Sequence, residues 1–220
     1  MKRLLLTTML GVLGTGVTVA DQVSKVKVIF EEHFTGKLGE EWSWVREVAR
    51  AWRIDEGALV LRTLPGYLHA QYNDSKNILL RALPKSEHPL AIEVQVESEP
   101  KVQFEHAGIV WYVDDDNYVS LFQEIVGSTV ELQMVTEKDG KPRFAVAQHG
   151  AKRVWMRLLI SAGTIASQYR SSDTDSWRDV GQVEIPAKVP ARVGVMAGGA
   201  PKEAERYVRF RAFRILELVK

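Results

Sequence analysis

The stretch His106-Ala107-Gly108-Ile109-Val110-Trp111-Tyr112-Val113-Asp114-Asp115-Asp116-Asn117-Tyr118-Val119-Ser120-Leu121-Phe122-Gln123-Glu124 decides the fold. Two arms flank a run of turn-forming Asp and Asn, which is the pattern of a β-hairpin. Val119 and Leu121 form the clean apolar face of the second arm; Ala107, Ile109, Trp111 and Val113 form that of the first. Directly opposed residues of an antiparallel pair lie on one face, so the two sets align only across an odd loop, either Asp114 to Asp116 or Val113 to Asn117. A two- or four-residue loop breaks the pattern. The odd loop sets Tyr112 opposite Tyr118 and His106 opposite Glu124. It gathers His106, Tyr112, Tyr118, Phe122 and Glu124 on the face away from the core.

Outward from this hairpin the same period of two recurs at residues 58–63, 77–81, 90–98, 129–137, 143–148, 153–161, 164–171, 180–185, 191–197 and 207–218, each run closed by turn residues. In one run Ile92, Val94 and Val96 oppose Glu93, Gln95 and Glu97; in another Val154, Met156, Leu158 and Ile160 oppose Arg153, Trp155 and Arg157. One face of each makes the core and the other meets solvent or ligand. Short strands without a convincing helical period between them predict an all-β antiparallel sandwich in one domain.

The chain has 220 residues, 45% hydrophobic, and no cysteine. A disulfide framework, a thiolate zinc site and a cysteine nucleophile are thereby excluded. Lys and Arg total 29 against 28 Asp and Glu, with no basic block, so nothing in the charge draws the protein to nucleic acid. At the N-terminus Lys2 and Arg3 precede an apolar run from Leu4 to Val17, and Thr18-Val19-Ala20 supplies the small residues of a cleavage site. Residues 1–20 therefore read as a signal peptide, residues 21–220 as the exported domain, and the location as periplasm, cell surface or exterior. The run is too short and too rich in glycine for a membrane span.

Trp42-Ser43-Trp44-Val45-Arg46-Glu47, Leu64-Pro65-Gly66, Lys76-Asn77-Ile78-Leu79-Leu80-Arg81, Ala107-Gly108-Ile109, Asp114-Asp115-Asp116-Asn117-Tyr118 and Ser171-Ser172-Asp173 with Trp177 and Val180-Gly181 form a further series. It resembles the concanavalin A-like domain at the C-terminus of bacterial β-xylosidases and the related secreted proteins of the "regulation of enolase" family. The resemblance implies a concanavalin A-like jelly-roll β-sandwich of two antiparallel sheets, a concave face that meets carbohydrate, and a non-catalytic role beside a partner glycosidase. The late hairpin departs from the pattern, with Asp173-Thr174-Asp175-Ser176 where the family often carries Asp-Gly.

Sugar rings stack on aromatic faces while their hydroxyls take polar partners. The carbohydrate-binding candidates are accordingly His106, Tyr112, Tyr118 and Glu124, joined by parity, and Trp44, Arg46 and Glu47, taken from the resemblance. No catalytic residue is assigned. Glu93 and Glu97 lie four apart on one strand, about 13 Å, against the roughly 5 to 5.5 Å of a retaining glycosidase, so they read as a solvated polar face. No Gly-x-Ser-x-Gly elbow occurs, and the five histidines lack the spacing of a zinc helix. The acids from Asp173 to Glu184 imitate a calcium loop but place Arg178 where the turn needs glycine. No cofactor is expected; some jelly-roll domains carry a structural calcium, which this sequence does not place. The leading expectation is secreted, non-catalytic recognition of a polysaccharide or glycan. The alternatives are a diverged glycoside hydrolase on the same face and a surface module that binds a protein through an exposed apolar patch.

Overall fold

The computed structural model describes residues 25–148, 151–187 and 190–219. The signal-peptide reading falls outside the described residues. In chain order the strands are β1 (Lys25–Glu32), β2 (Trp42–Val45), β3 (Trp52–Asp55), β4 (Ala58–Arg62), β5 (Leu68–His69) and β6 (Tyr72–Asn73). They continue as β7 (Ile78–Ala82), β8 (Leu90–Glu97), β9 (His106–Asp114), β10 (Asn117–Val126), β11 (Thr129–Lys138) and β12 (Lys141–Gln148). The last are β13 (Arg153–Ser161), β14 (Thr164–Arg170), β15 (Arg178–Glu184), β16 (Arg192–Gly198) and β17 (Tyr207–Val219). The architecture is the expected one: an eight-stranded sheet ordered β15-β14-β13-β8-β17-β4-β3, with β1 also on β17, packs on a seven-stranded sheet ordered β12-β11-β10-β9-β16-β7-β2. No described helix is long and apolar enough to cross a membrane.

The main core fills the space between the sheets with the residues that alternation predicts. Ile92, Val94, Val96, Val154, Met156 and Leu158 come from one sheet, and Ala107, Ile109, Trp111, Val119 and Leu121 from the other. Burying each such side chain is worth about 1.5–3 kcal/mol, which is how a chain without disulfides is held together.

The deciding hairpin has the expected register, Tyr112 opposite Tyr118 and His106 opposite Glu124. Its tip reconciles two loop lengths. Asp114 pairs with Asn117 around the turn Asp115-Asp116, and the register then shifts, leaving Val113 as the extra residue. This bulge restores the odd parity that a bare two-residue turn would lose. Asp114 Oδ1 accepts from Asp116 N at 3.0 Å and Asn117 Nδ2 at 2.9 Å, as expected of an Asp-rich tip.

The second face of each sheet departs from the expected solvated surface. On the eight-stranded sheet Glu93 is 2% exposed. It sits in register between Arg157 and Arg214 and accepts from Arg157 Nε at 2.8 Å and Arg214 Nη2 at 2.7 Å. Trp177 lies over the Arg157 guanidinium at 3.9 Å, and Trp155 over that of Arg214 at 4.8 Å. On the seven-stranded sheet a second apolar cluster, with Tyr112, Tyr118, Phe122, Val135 and Ile78, forms outside the sandwich under Leu68 of the β5–β6 hairpin. The outward face of the hairpin is therefore partly roofed, because large aromatics at outward positions need cover as much as core residues do.

Candidate functional site

The roof is built on the segment between β4 and β7. Gly66 has φ +125 and lies where an added Cβ would stand 2.7 Å from Asp74 O, so only glycine closes this loop. Asp74 Oδ1 accepts from Tyr67 N at 2.9 Å, and Asp74 N donates to Tyr67 O at 3.1 Å. The far end is anchored on the sheet. Both carboxylate oxygens of the fully buried Glu137 lie 3.0 Å from Ala70 N, and Oε2 also accepts from the Tyr118 hydroxyl at 3.2 Å. That hydroxyl is shared with Leu68 O. Asn73 Nδ2 donates to Asp116 Oδ1 at 2.8 Å.

Between roof and sheet lies a cavity of about 300 Å³. Tyr67, Leu68, His69 and Tyr72 of the roof, Phe104, and Phe144 on β12 form its walls and rim, with Tyr72 and Phe144 each 55% exposed. The floor comes from outward positions of β9, β10 and β11: His106, Phe122, Glu124, Gln133 and Val135. No lysine or arginine lines the cavity.

The floor's polar groups have few partners. His106 is 5% exposed and stacks on Phe122 at 4.8 Å between centroids. Its Nδ1 lies 2.9 Å from Phe104 O, and since a carbonyl only accepts, Nδ1 carries the proton and Nε2 is a lone-pair acceptor without a partner. Burial lowers the imidazole's proton affinity, which keeps the ring neutral. Glu124 is 9% exposed and stands between His106 and Glu131 in register. Burial, with the Glu131 charge beside it, pushes its carboxyl up to about 7. Gln133 gives its amide nitrogen to Glu131 Oε2 at 3.3 Å.

This carboxyl has a consequence for folding. Its folded value is raised above the ordinary carboxylate value, so the native state holds the proton more tightly than the unfolded chain. The stabilisation is complete below about pH 4.5 and is lost as pH rises through about 7. Urea unfolding of the Glu124→Gln variant is expected to lack this loss and to exceed the parent at pH 8 by about 3 kcal/mol. Parallel pH profiles for the two proteins would refute the assignment.

Of the seven candidate residues, the structure brings His106 and Glu124 together on the cavity floor. Tyr112 and Tyr118 share their face but lie under the roof, where the Tyr112 hydroxyl donates to Asp115 Oδ1 at 2.7 Å. Arg46 joins that group, its guanidinium donating to both Asp115 oxygens at 2.7 and 2.9 Å. Its backbone is left-handed, φ 52, so the row from Trp42 through Trp44 does not extend to it. Trp44 packs on the main core against Trp52 at 4.9 Å, and Glu47 accepts from Trp52 Nε1 at 2.9 Å. Neither Trp44 nor Glu47 lines the cavity. Gln133 and Phe144, which do, went unread although parity carried across β11 and β12 places both outward. Tyr67 and Tyr72 lie in an aperiodic segment that gives no such signal.

With fold and cavity in view, comparison with known proteins is informative. The family described as the β-xylosidase C-terminal concanavalin A-like domain matches residues 31–215. The chain belongs to this family. No curated protein matches it. Among solved structures the GH43 BlXynB protein from Bacillus licheniformis superposes with TM-score 0.74 at 20% identity, covering 85% of this chain and 39% of that one. A xylan β-1,4-xylosidase from Bacillus halodurans gives 0.69 at 18%, with coverage of 85% and 39%. A functionally unknown protein from Saccharomyces cerevisiae gives 0.67 at 19%, covering 82% of this chain and 98% of that one. This member of the β-xylosidase C-terminal family thus spans about two fifths of the bacterial chains and nearly the whole of the yeast one. At these identities the likeness establishes the shared sandwich.

Proposed function

We propose that the chain is a secreted, non-catalytic carbohydrate-binding domain that serves glycoside degradation beside a partner glycosidase. One observation carries the reading: the cavity joins exposed aromatic faces at its rim to the polar side chains of Glu124 and Gln133 on its floor, the combination a sugar needs for stacking and for orientation. Membership of a domain family that accompanies β-xylosidases supports it, and so does the leader-like composition of residues 1–20. In this reading Glu124 and His106 contact the ligand, while Tyr112, Tyr118 and Arg46 hold the roof.

The test is calorimetric titration with xylose, glucose, glucosamine and the corresponding oligosaccharides. Saturable binding is expected, and Tyr72→Ala and Phe144→Ala are each expected to weaken it about 5- to 30-fold, the worth of one stacked ring. Absence of binding at millimolar sugar, or unchanged affinity in both variants, refutes the proposal. A second reading, a diverged glycoside hydrolase, is favoured by the direct opposition of Glu124 and Glu131 across β10 and β11. Opposed Cβ atoms lie about 4.5–5.5 Å apart, close to the roughly 5 to 5.5 Å between the carboxyls of retaining enzymes. Reducing-sugar release that Glu131→Gln abolishes would select it over simple recognition.

A further inference from the structure

The cavity floor presents one buried acid, Glu124, beside the Gln133 amide, with the Tyr67 and Tyr72 phenols in the walls. Glu124 has no hydrogen-bonding side chain or backbone group against it other than what a ligand would bring, and Glu131 lies beside it in the same transverse row. His106 Nε2 is a buried lone pair without a partner. The Gln133 nitrogen gives one of its two protons to Glu131, which leaves the other and the amide oxygen. Beside Glu124 the lining carries the rings of Tyr67, Phe104 and Phe122, whose faces are electron-rich. With no lysine or arginine in the lining, the carboxylates are not neutralised from within.

A neutral sugar hydroxyl answers such a floor only in part, because each hydroxyl brings lone pairs along with its single proton. A protonated primary amine answers the Glu124 carboxylate more fully. It carries three donors and no acceptor, it neutralises a buried carboxylate, and its charge is attracted by aromatic faces within about 6 Å. The same floor repels anions, since a carboxylate or sulfate would face Glu124 with no lysine or arginine among the described lining residues to compensate.

We infer that the cavity is a receptor for a primary ammonium group, with Glu124 as counter-ion and the aromatic walls beside it as a cation-binding surface. The inference rests on the reading of this cavity as the ligand site and narrows that reading to ligands bearing a free amine. The amine has two sources: an amino sugar, in which ring hydroxyls add contacts at the rim, or a simple alkylamine.

Calorimetry at pH 7 on the whole protein separates these, with glucosamine, N-acetylglucosamine, glucose and cadaverine as probes. Glucosamine is expected to bind at least tenfold more tightly than N-acetylglucosamine or glucose, and Glu124→Gln is expected to erase that preference while the variant stays folded by circular dichroism. Glu131→Gln is expected to reduce the preference without erasing it. Equal affinity for glucosamine and its acetylated form, or a preference that survives in Glu124→Gln, overturns the ammonium site. If glucose and N-acetylglucosamine bind as well as glucosamine, the ammonium site falls and carbohydrate recognition stands. If cadaverine matches glucosamine and neutral sugars fail, the ammonium site stands and carbohydrate recognition falls. Silence from all four probes refutes both.

Discussion

Replacing Glu93 by alanine is expected to lower the free energy of unfolding by about 3–5 kcal/mol, the cost of stripping one partner from a buried ionic group. The carboxylate is 2% exposed on β8, a central strand, and it is bonded on one side to Arg157 and on the other to Arg214. Removing it leaves two guanidinium groups side by side with their common counter-ion gone. The Arg157 guanidinium is already pulled down from its ordinary value, first by burial and then by the Arg170 and Arg214 charges, against the support of Glu93. The midpoint of urea unfolding should fall with the m-value unchanged, since the exposed surface is the same. The concerted replacement Glu93→Leu, Arg157→Leu and Arg214→Leu should recover most of the loss, because an apolar trio of similar volume pays no desolvation cost. If the single variant unfolds within 1 kcal/mol of the parent, the triad is not a stabilising unit at all.

The same residue shows what a sequence can and cannot disclose. Alternation assigned Glu93 to the outward face, and that is where it lies. Its burial depends on the neighbours of β8, which are β13 and β17, two strands from distant parts of the chain. Period two fixes the face of a residue but carries no information about which strands flank it. β17 adds a second obstacle: the register shifts between Arg211 and Arg214, and Ala212 has φ 49, so Phe210 and Phe213 both enter the core although they are three apart. β1 was not read as a strand for a different reason. Val26 and Val28 are exposed at 53% and 54%, so its alternation of Lys and Val does not mark a buried face. The hairpin of β9 and β10 was legible because both of its strands and the turn that joins them lie within one continuous stretch. Of the cavity, the floor residues His106 and Glu124 followed from that local parity. The roof did not, since β5 and β6 have two residues each and are held by contacts to Glu137 and Tyr118 far along the chain.

Those contacts make the roof separable from the floor, and Glu137→Ala is the variant in which the separation should be largest. Glu137 is fully buried at an outward position of β11 and does not line the cavity. It holds Ala70 N, and Ala70 sits at φ 51, a left-handed conformation that an alanine adopts at a cost and keeps only where its surroundings impose it. A hydrogen bond to a charged group is worth about 1.5–3 kcal/mol, so losing the one from Ala70 N removes roughly that much from a hairpin of four paired residues. So short a hairpin otherwise rests on the Tyr118–Leu68 and Asn73–Asp116 hydrogen bonds and on the apolar seat of Leu68. Amide exchange at residues 68–73 is therefore expected to accelerate about ten- to a hundredfold, with exchange in β9 and β10 unchanged, because their pairing does not depend on the roof. Affinity for the proposed ligand should fall by a factor of ten or more, although every floor residue is intact, because Tyr67 and Tyr72 leave their places in the cavity wall. Glu137→Gln should recover part of both effects, since the amide oxygen still accepts from Ala70 N. Unchanged exchange at residues 68–73 in Glu137→Ala would show that the apolar seat of Leu68 on Tyr118 and Phe122, and not the carboxylate, holds the roof closed.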